Sequence, residues 1–197
     1  PCCLTVETDG ISEELGFESG MDGTELKITT REHLWRINNV GIGTIYIYIP
    51  NDLTLDDISM KLGAGNLYIE EIHANEMSVD AGTGEAVLQN VQAQKMGLQC
   101  GVGNIAGSGC AAEELDADVG VGSLEFTLTG PEENYDYDIS VGVGEVRCGQ
   151  EDFSGLGARK EIDNHAGRLI KIDCGAGSAV IDFDGAGHME RKEEHHN

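Results

Sequence analysis

Basic residues are scarce in this chain. Lys and Arg together number 12 against 36 Asp and Glu, a formal charge of −24 over 197 residues. A nucleic-acid binder needs a basic face to displace counterions from phosphate, and this balance excludes that class. It equally disfavours electrostatic docking on anionic lipid. Aromatics make up only 5% of the residues, and there are 3 prolines. No apolar run reaches the roughly 18 residues that mark a membrane-spanning helix. Helical periodicity is missing throughout. CxxC pairs and Cys/His clusters at zinc spacing are missing too, which removes a structural zinc site. Glycine is plentiful, at 28 residues, but without a three-residue period, so collagen is excluded. The length fits one domain, or at most two small ones.

What is present is a repeat. Six Gly-x-Gly triplets follow apolar/polar alternation: Gly63-Ala64-Gly65, Gly82-Thr83-Gly84, Gly101-Val102-Gly103, Gly120-Val121-Gly122, Gly142-Val143-Gly144 and Gly175-Ala176-Gly177. Their first glycines are 19, 19, 19, 22 and 33 residues apart. Alternate residues before each triplet are apolar: Ile58, Met60, Leu62; Met77, Val79, Ala81; Met96, Leu98, Cys100; Leu115, Ala117, Val119; Tyr137, Ile139, Val141; Ile170, Ile172, Cys174. Alternation resumes after each one, as in Leu67 and Ile69, Ala86 and Leu88, or Leu124 and Phe126. A third apolar site follows at Ile72, Val91 and Cys110.

Period-two alternation marks half-buried strands. Each repeat is then strand, glycine corner, strand, short turn. A single unit of this kind cannot bury its apolar face, but a stack of units shares a continuous core. The sequence therefore predicts an all-β fold: a parallel β-solenoid, a right-handed β-helix by the handedness of parallel crossovers. It would have about six Gly-x-Gly repeats of 19–22 residues. The corner glycines supply positive φ or close backbone approach. A phosphate cradle would need one GxGxxG opening a helix, whereas this motif recurs and precedes strands.

The repeat assigns the cysteines. Cys100 and Cys174 share the column of Leu62, Ala81, Val119 and Val141; Cys148 shares that of Ile69 and Leu88; Cys110 that of Ile72 and Val91. All four read as inward filler, small and apolar. Cys2 and Cys3 are adjacent and cannot readily bridge each other. The sequence opens on Pro1, and a preceding signal or membrane anchor is expected.

Two intervals break the period. Gly130-Pro131-Glu132-Glu133 reads as an inserted turn, and Ser154 to Gly167 as a loop standing off the solenoid. That loop and its edge hold Arg159, Lys160 and Arg168, a quarter of the basic residues. Insertions in repeat proteins are either binding loops or plain solvated surface. Residues 1–56 fit the repeat poorly and read as an irregular β cap with the first coils. Within them, Leu4-Thr5-Val6, Glu25 to Thr29 and Ile45 to Ile49 are short strands, and Met21-Asp22-Gly23-Thr24 is a hairpin turn. Residues 57–187 carry the solenoid, and 188–197, which include His195 and His196, read as a disordered tail.

The segment Ile47-Tyr48-Ile49-Pro50-Asn51-Asp52-Leu53, followed by Ile58-Ser59-Met60-Lys61-Leu62-Gly63-Ala64-Gly65-Asn66-Leu67, resembles the bacterial DUF4097 family. These are β-strand-repeat proteins labelled adhesins. The resemblance covers roughly residues 45–184. It implies a repetitive β fold and an extracytoplasmic domain behind an N-terminal membrane segment. It brings no catalytic residues.

Outward columns stack carboxylates. Glu76 and Glu114 flank Lys95, Asp80 and Asp118 flank Gln99, and Asp116 and Asp138 occupy equivalent places in successive coils. Like charges at strand spacing repel, so solvation or a cation must relieve them. Calcium suits oxygen ligands, but its nonapeptide repeat is not present, and no metal or cofactor is assigned. No Ser/His/Asp or Cys/His constellation stands out, so no enzyme is expected. The expected function is a non-catalytic, adhesin-like binding domain outside the cytoplasm, membrane-anchored at a bacterial surface. Its partners would be envelope or host glycans and proteins, with Trp35, Tyr46, Tyr48 and Tyr68 as sugar-stacking candidates, although Trp35 reads first as a cover over the core at the N-terminal end. The alternatives are a scaffold or sensory domain that pairs with an envelope protein, and a carbohydrate-active enzyme on a β-helix.

Overall fold

Alternating side chains define an extended backbone whose two sides differ in polarity. In the computed structural model of the chain, these segments are strands. The structure describes residues 4–10, 18–29, 43–50, 52–154 and 156–185. Among them the fold is all-β, with one 3-10 turn at Glu132–Asn134 and no α-helix. The chain divides into two compact units, Pro1–Asp52 and Leu53–Asn197.

In the first unit, β1 (Thr5–Asp9) pairs antiparallel with β4 (Thr44–Tyr48), and β2 (Glu18–Asp22) with β3 (Glu25–Thr29). The hairpin turns at Gly23, whose φ of 65° favours glycine. Strand β2 escaped the sequence pattern because all five of its residues are exposed. Trp35, Cys2, Cys3 and the 188–197 tail lie outside the described residues.

The second unit is β-solenoid-like. Its strands are β5 (Leu55–Leu62), β6 (Asn66–Glu70), β7 (His73–Ala81), β8 (Glu85–Cys100), β9 (Asn104–Val119), β10 (Ser123–Leu128), β11 (Tyr135–Val141), β12 (Glu145–Cys148), β13 (Glu151–Ser154), β14 (Ala158–Ile162), β15 (Arg168–Cys174) and β16 (Ser178–Phe183). They form one 12-stranded sheet. Strands β8 and β9, of 16 residues each, run through a corner, so each supplies the second arm of one coil and the first arm of the next.

Parallel pairing sets Ile58 beside Met77, Met96 and Leu115 in turn, and Leu62 beside Ala81, Cys100 and Val119. Ala81, Cys100 and Val119 are buried in this stack, and Leu62, at its edge, is half-buried. A second inward column runs through Ile69, Leu88, Gly107, Phe126, Ile181 and Cys148. The Phe126 ring fills the space that Gly107 leaves: a Cβ on Gly107 would stand 3.0 Å from it.

The corner glycines serve close approach. Among the triplets only Gly65 has positive φ. A Cβ on Gly84 would lie 2.1 Å from the Gly65 carbonyl oxygen, one on Gly103 2.0 Å from that of Gly84, and one on Gly122 2.0 Å from that of Gly103. Backbone amides also cross between corners, such as Val102 N–H to Gly82 O at 2.8 Å and Val121 N–H to Gly101 O at 2.8 Å. Each second glycine therefore lets one coil settle onto the carbonyl of its neighbour.

Three expectations are corrected. First, the coils do not stack in chain order. The Gly175 coil (β15 and β16) sits between the Gly120 and Gly142 coils: Leu115 pairs with Ile170, which pairs with Tyr137, and Leu124 with Ala179, which pairs with Val146. Counting spacings along the chain cannot reveal which coil lands where, because every coil carries the same inward pattern. Second, residues 154–167 do not form a loop standing off the solenoid. They contain β14, antiparallel to β11, while β13 folds back antiparallel on β12. The chain thus doubles back along the Gly142 coil before β15 enters beneath it. Third, Cys110 is not in the Val91 column. It pairs with Gln92 and is only half-buried, whereas Val91 pairs with Gly109. From Leu88 to Val91 is three steps on β8 against two on β9, and from Ala93 to Lys95 is two against three. The two irregularities cancel, so the 19-residue spacing conceals both.

Gly103→Ala is expected to destabilise the protein by about 3 kcal/mol or more, because the clash is with backbone. Gly63→Ala, where a Cβ meets nothing within 4 Å, should stay within about 0.5 kcal/mol of the parent. Urea unfolding midpoints of the two variants check the contrast.

Candidate functional site

One outer face of the solenoid is built by the first arms of the coils. Its columns follow from the ladder register. Asp57, Glu76, Lys95 and Glu114 form one, continued by Leu169 and Asp136; Ser59, Ser78, Gly97, Asp116, Lys171, Asp138 and Glu161 form the next. Lys61, Asp80, Gln99, Asp118, Asp173, Ser140 and Arg159 form a third. Glu76 and Glu114 do flank Lys95, and Asp80 and Asp118 flank Gln99, as the spacing predicts. Asp116 and Asp138 are not in successive coils: Lys171 lies between them, a consequence of the changed coil order.

Lys171 organises this part of the face. Its Nζ donates to Glu114 Oε1, and Asp116 and Asp138 stand on either side of it along the ladder. These carboxylates hold the Lys171 ammonium above its ordinary range, Glu114 most strongly. Asp116 is raised from the usual carboxylate value, first by loss of solvent, against the pull of Lys171, with Glu114, Asp118 and Asp173 adding repulsion. Because Gly97 has no side chain, the face dips into a depression bordered by Asp57, Glu76, Lys95, Glu114 and Asp116. No group of three or more His, Cys, Asp or Glu among the described residues is placed to hold a metal ion.

The second arms build another outer face, where Tyr68, Val87, Ala106, Glu125, Val180, Arg147 and Asp152 form a column. Arg147 grips Asp182 with both terminal nitrogens, at 2.7 and 3.2 Å. Tyr68 is 61% exposed and donates its hydroxyl to Gln89 Oε1 at 2.9 Å.

The cations of residues 154–168 are engaged within the fold. Arg159 pairs with Asp138 at 3.0 Å. Lys160 pairs with Glu151 at 2.9 Å and lies over the Phe153 ring, 5.1 Å from its centroid. Arg168 covers the Tyr135 ring and donates to its hydroxyl at 3.3 Å, and that hydroxyl donates to Ala111 O at 3.3 Å. Asp136 Oδ1 accepts from the backbone N–H of Asn164 and Ala166, and the Asn164 amide donates to Tyr135 O. His165 turns the chain with φ of 56°, and its ring nitrogen contacts Asp163 at 2.8 Å. That contact raises the His165 pKa, and the backbone N–H of His165, followed by its ring, lowers that of Asp163.

The remaining titratable groups are structural. Cys100, Cys148 and Cys174 are buried free thiols, and burial pushes all three up, away from the reactive thiolate. Tyr135 and Tyr137 are buried against Phe183, and loss of solvent raises both. In the first unit the Tyr46 and Tyr48 rings lie 6.4 Å apart and nearly parallel, at 13°, and are 45% and 41% exposed. The structure thus keeps three of the four aromatic candidates on open surface, and the fourth, Trp35, lies outside the described residues.

A family model, Toastrack DUF4097, matches residues 5–147. The chain belongs to the Toastrack DUF4097 family. No curated protein and no solved structure matches it. The Toastrack match reaches the Gly142 corner and ends before the doubled-back strands and the Gly175 coil. Lys171, which carries the charge pattern of this Toastrack chain's acidic face, therefore lies beyond the matched segment. The sequence signal for it was the repulsion itself: Asp116 beside Asp138 is a pairing that strand ladders disfavour.

The pH dependence follows from Asp116. A carboxylate whose pKa is raised on folding binds its proton more tightly in the folded state, so it costs stability above that pKa, and the cost fades as pH falls through it. Asp116→Asn is therefore expected to raise stability at pH 7, by about 0.5 kcal/mol or less on an open face. The gain should shrink toward pH 4. Denaturation midpoints of parent and variant at both pH values test this.

Proposed function

We propose that this Toastrack chain is a non-catalytic binding domain of a bacterial envelope protein, displayed outside the cytoplasm. The observation that carries this reading is the form of the surface. Ladders of outward side chains run unbroken from coil to coil over two faces, an arrangement suited to presenting a broad repetitive surface rather than to enclosing a small substrate. The shifted carboxylate on those faces, Asp116, is raised first by loss of solvent and then by its acidic neighbours, against the pull of Lys171. High negative charge keeps such a β surface soluble and discourages edge-to-edge association. The same reading takes the solenoid as right-handed, with six Gly-x-Gly repeats, by the general handedness of parallel crossovers. It also takes the domain as held at the membrane by a segment preceding residue 1.

The aromatic pair Tyr46 and Tyr48 favours a glycan as the bound class. Two exposed, near-parallel rings offer apolar faces with polar rims, the surface on which sugar rings stack. Purified protein passed over bacterial envelope and host-glycan preparations, with calcium and with chelator, is expected to be retained. Tyr46→Ala/Tyr48→Ala should lose about tenfold or more in retention with an unchanged melting temperature. Failure of the parent to bind under either condition would overturn the glycan reading and favour a scaffold or sensory domain that pairs with an envelope protein.

A further inference from the structure

The Gly175 coil is the last strand pair in the described chain, yet it is internal to the stack. Strand β15 is hydrogen-bonded to both β9 and β11, and β16 to both β10 and β12. The two coils it separates match one another. Removing it would bring Leu115 to Tyr137, Ala117 to Ile139, Val119 to Val141, Leu124 to Val146 and Phe126 to Cys148, all buried apolar residues. Gly120 and Gly122 would meet Gly142 and Gly144, so the corner close approach is also preserved. The connection through Thr129 to Asn134 now climbs past one intervening coil, and a direct step is shorter by about 4.8 Å, one strand spacing. On its N-terminal side the turn at Asp163 to Gly167 leads into the inserted coil from β14.

From these matches we infer that the Gly175 coil is a removable insert, and that the chain has a second, shortened stack in which the Gly142 coil rests directly on the Gly120 coil. In a stack with nearest-neighbour interfaces, ejecting an ordinary internal coil loses two interfaces. Here the gap closes and one interface is regained. The net loss equals that of undocking a terminal coil, the most readily frayed part of a repeat protein. Charge holds the insert in place. In the full stack Lys171 separates Asp116 from Asp138, and Leu169 separates Glu114 from Asp136. In the shortened stack those acids face each other in two like-charge pairs, against one such pair across the insert in the full stack, Asp118 beside Asp173, and strand ladders disfavour such pairs. Packing adds to this: Phe183 lies against Tyr135 and Tyr137, and the Asp184 carboxylate accepts from Gly130 N–H at 2.7 Å.

Native-state hydrogen exchange on the full chain, read by peptide mass spectrometry, tests the inference. Peptides from 168–183 are expected to exchange at least about tenfold faster than those from 135–148, with both arms of 85–119 slowest. Lys171→Glu should accelerate exchange of 168–183 by a further tenfold or so while 135–148 stays protected. Asp116→Asn, which relieves the same acid pair of the shortened stack and leaves the Asp138–Arg159 ion pair intact, should shift exchange the same way and serves if Lys171→Glu fails to fold. Equal rates for 168–183 and 135–148 in the parent, or loss of protection in 135–148 together with 168–183 in the variants, would overturn the inference, since the end of the solenoid would then open as one piece.

Discussion

The close packing of peptide backbone at the glycine corners governs the second unit. A coil held about 1 Å or more short of its neighbour forfeits the amide-to-carbonyl bonds that cross each corner, and with them the register of both arms. A coil that seats fully brings every inward column into line at once. Leu62, Ala81, Cys100 and Val119 become neighbours because Gly84, Gly103 and Gly122 have no Cβ to hold the coils apart. Burial of the apolar columns then supplies the driving force, and the backbone contacts at the corners supply the geometry. The valines at the middle of the triplets, Val102, Val121 and Val143, are more than 60% exposed, so the corners owe their form to the flanking glycines and not to burial of the central residue.

The arrangement of charge follows from the same ladders. Because outward side chains repeat at fixed spacing, an acidic residue is placed by the backbone next to whatever the adjoining coil carries. Lys95 between Glu76 and Glu114, and Lys171 between Asp116 and Asp138, are the two places where a cation interrupts a run of acids. With so few basic residues, their positions matter more than their number. Arg147, Arg159 and Lys160 likewise each meet a carboxylate of an adjoining strand.

Much of this was legible in the sequence, and the parts that were not share a cause. Alternation and the glycine period identify strands, corners, parallel stacking and the buried columns, because each depends on residues within one coil and its counterpart 19 positions away. The family resemblance rests on the same signals. The order of the last coils does not. Tyr137-Ile139-Val141 and Ile170-Ile172-Cys174 are equally good neighbours for Leu115-Ala117-Val119, and only the charges beside them and the path of the chain distinguish the choices. Cys110 was misplaced because two opposite one-residue irregularities leave the spacing unchanged. Strands β13 and β14 were hidden for another reason: as edge strands they carry Glu151, Asp152, Arg159, Lys160 and Glu161 and lack the clean alternation of a two-sided ladder.

Those two strands bear on how the protein behaves in a crowd. A stack of interchangeable coils is in principle a template for fibre growth, since any exposed arm offers the same edge to an identical molecule. Here the last parallel arms, β11 and β12, are covered by short charged strands that run the opposite way, and Lys160 folds over Phe153. A second molecule arriving at that end meets reversed strand direction and the desolvation of paired ions. The doubled-back segment thus opposes edge-to-edge growth from that end, as covered and charged sheet edges do in general.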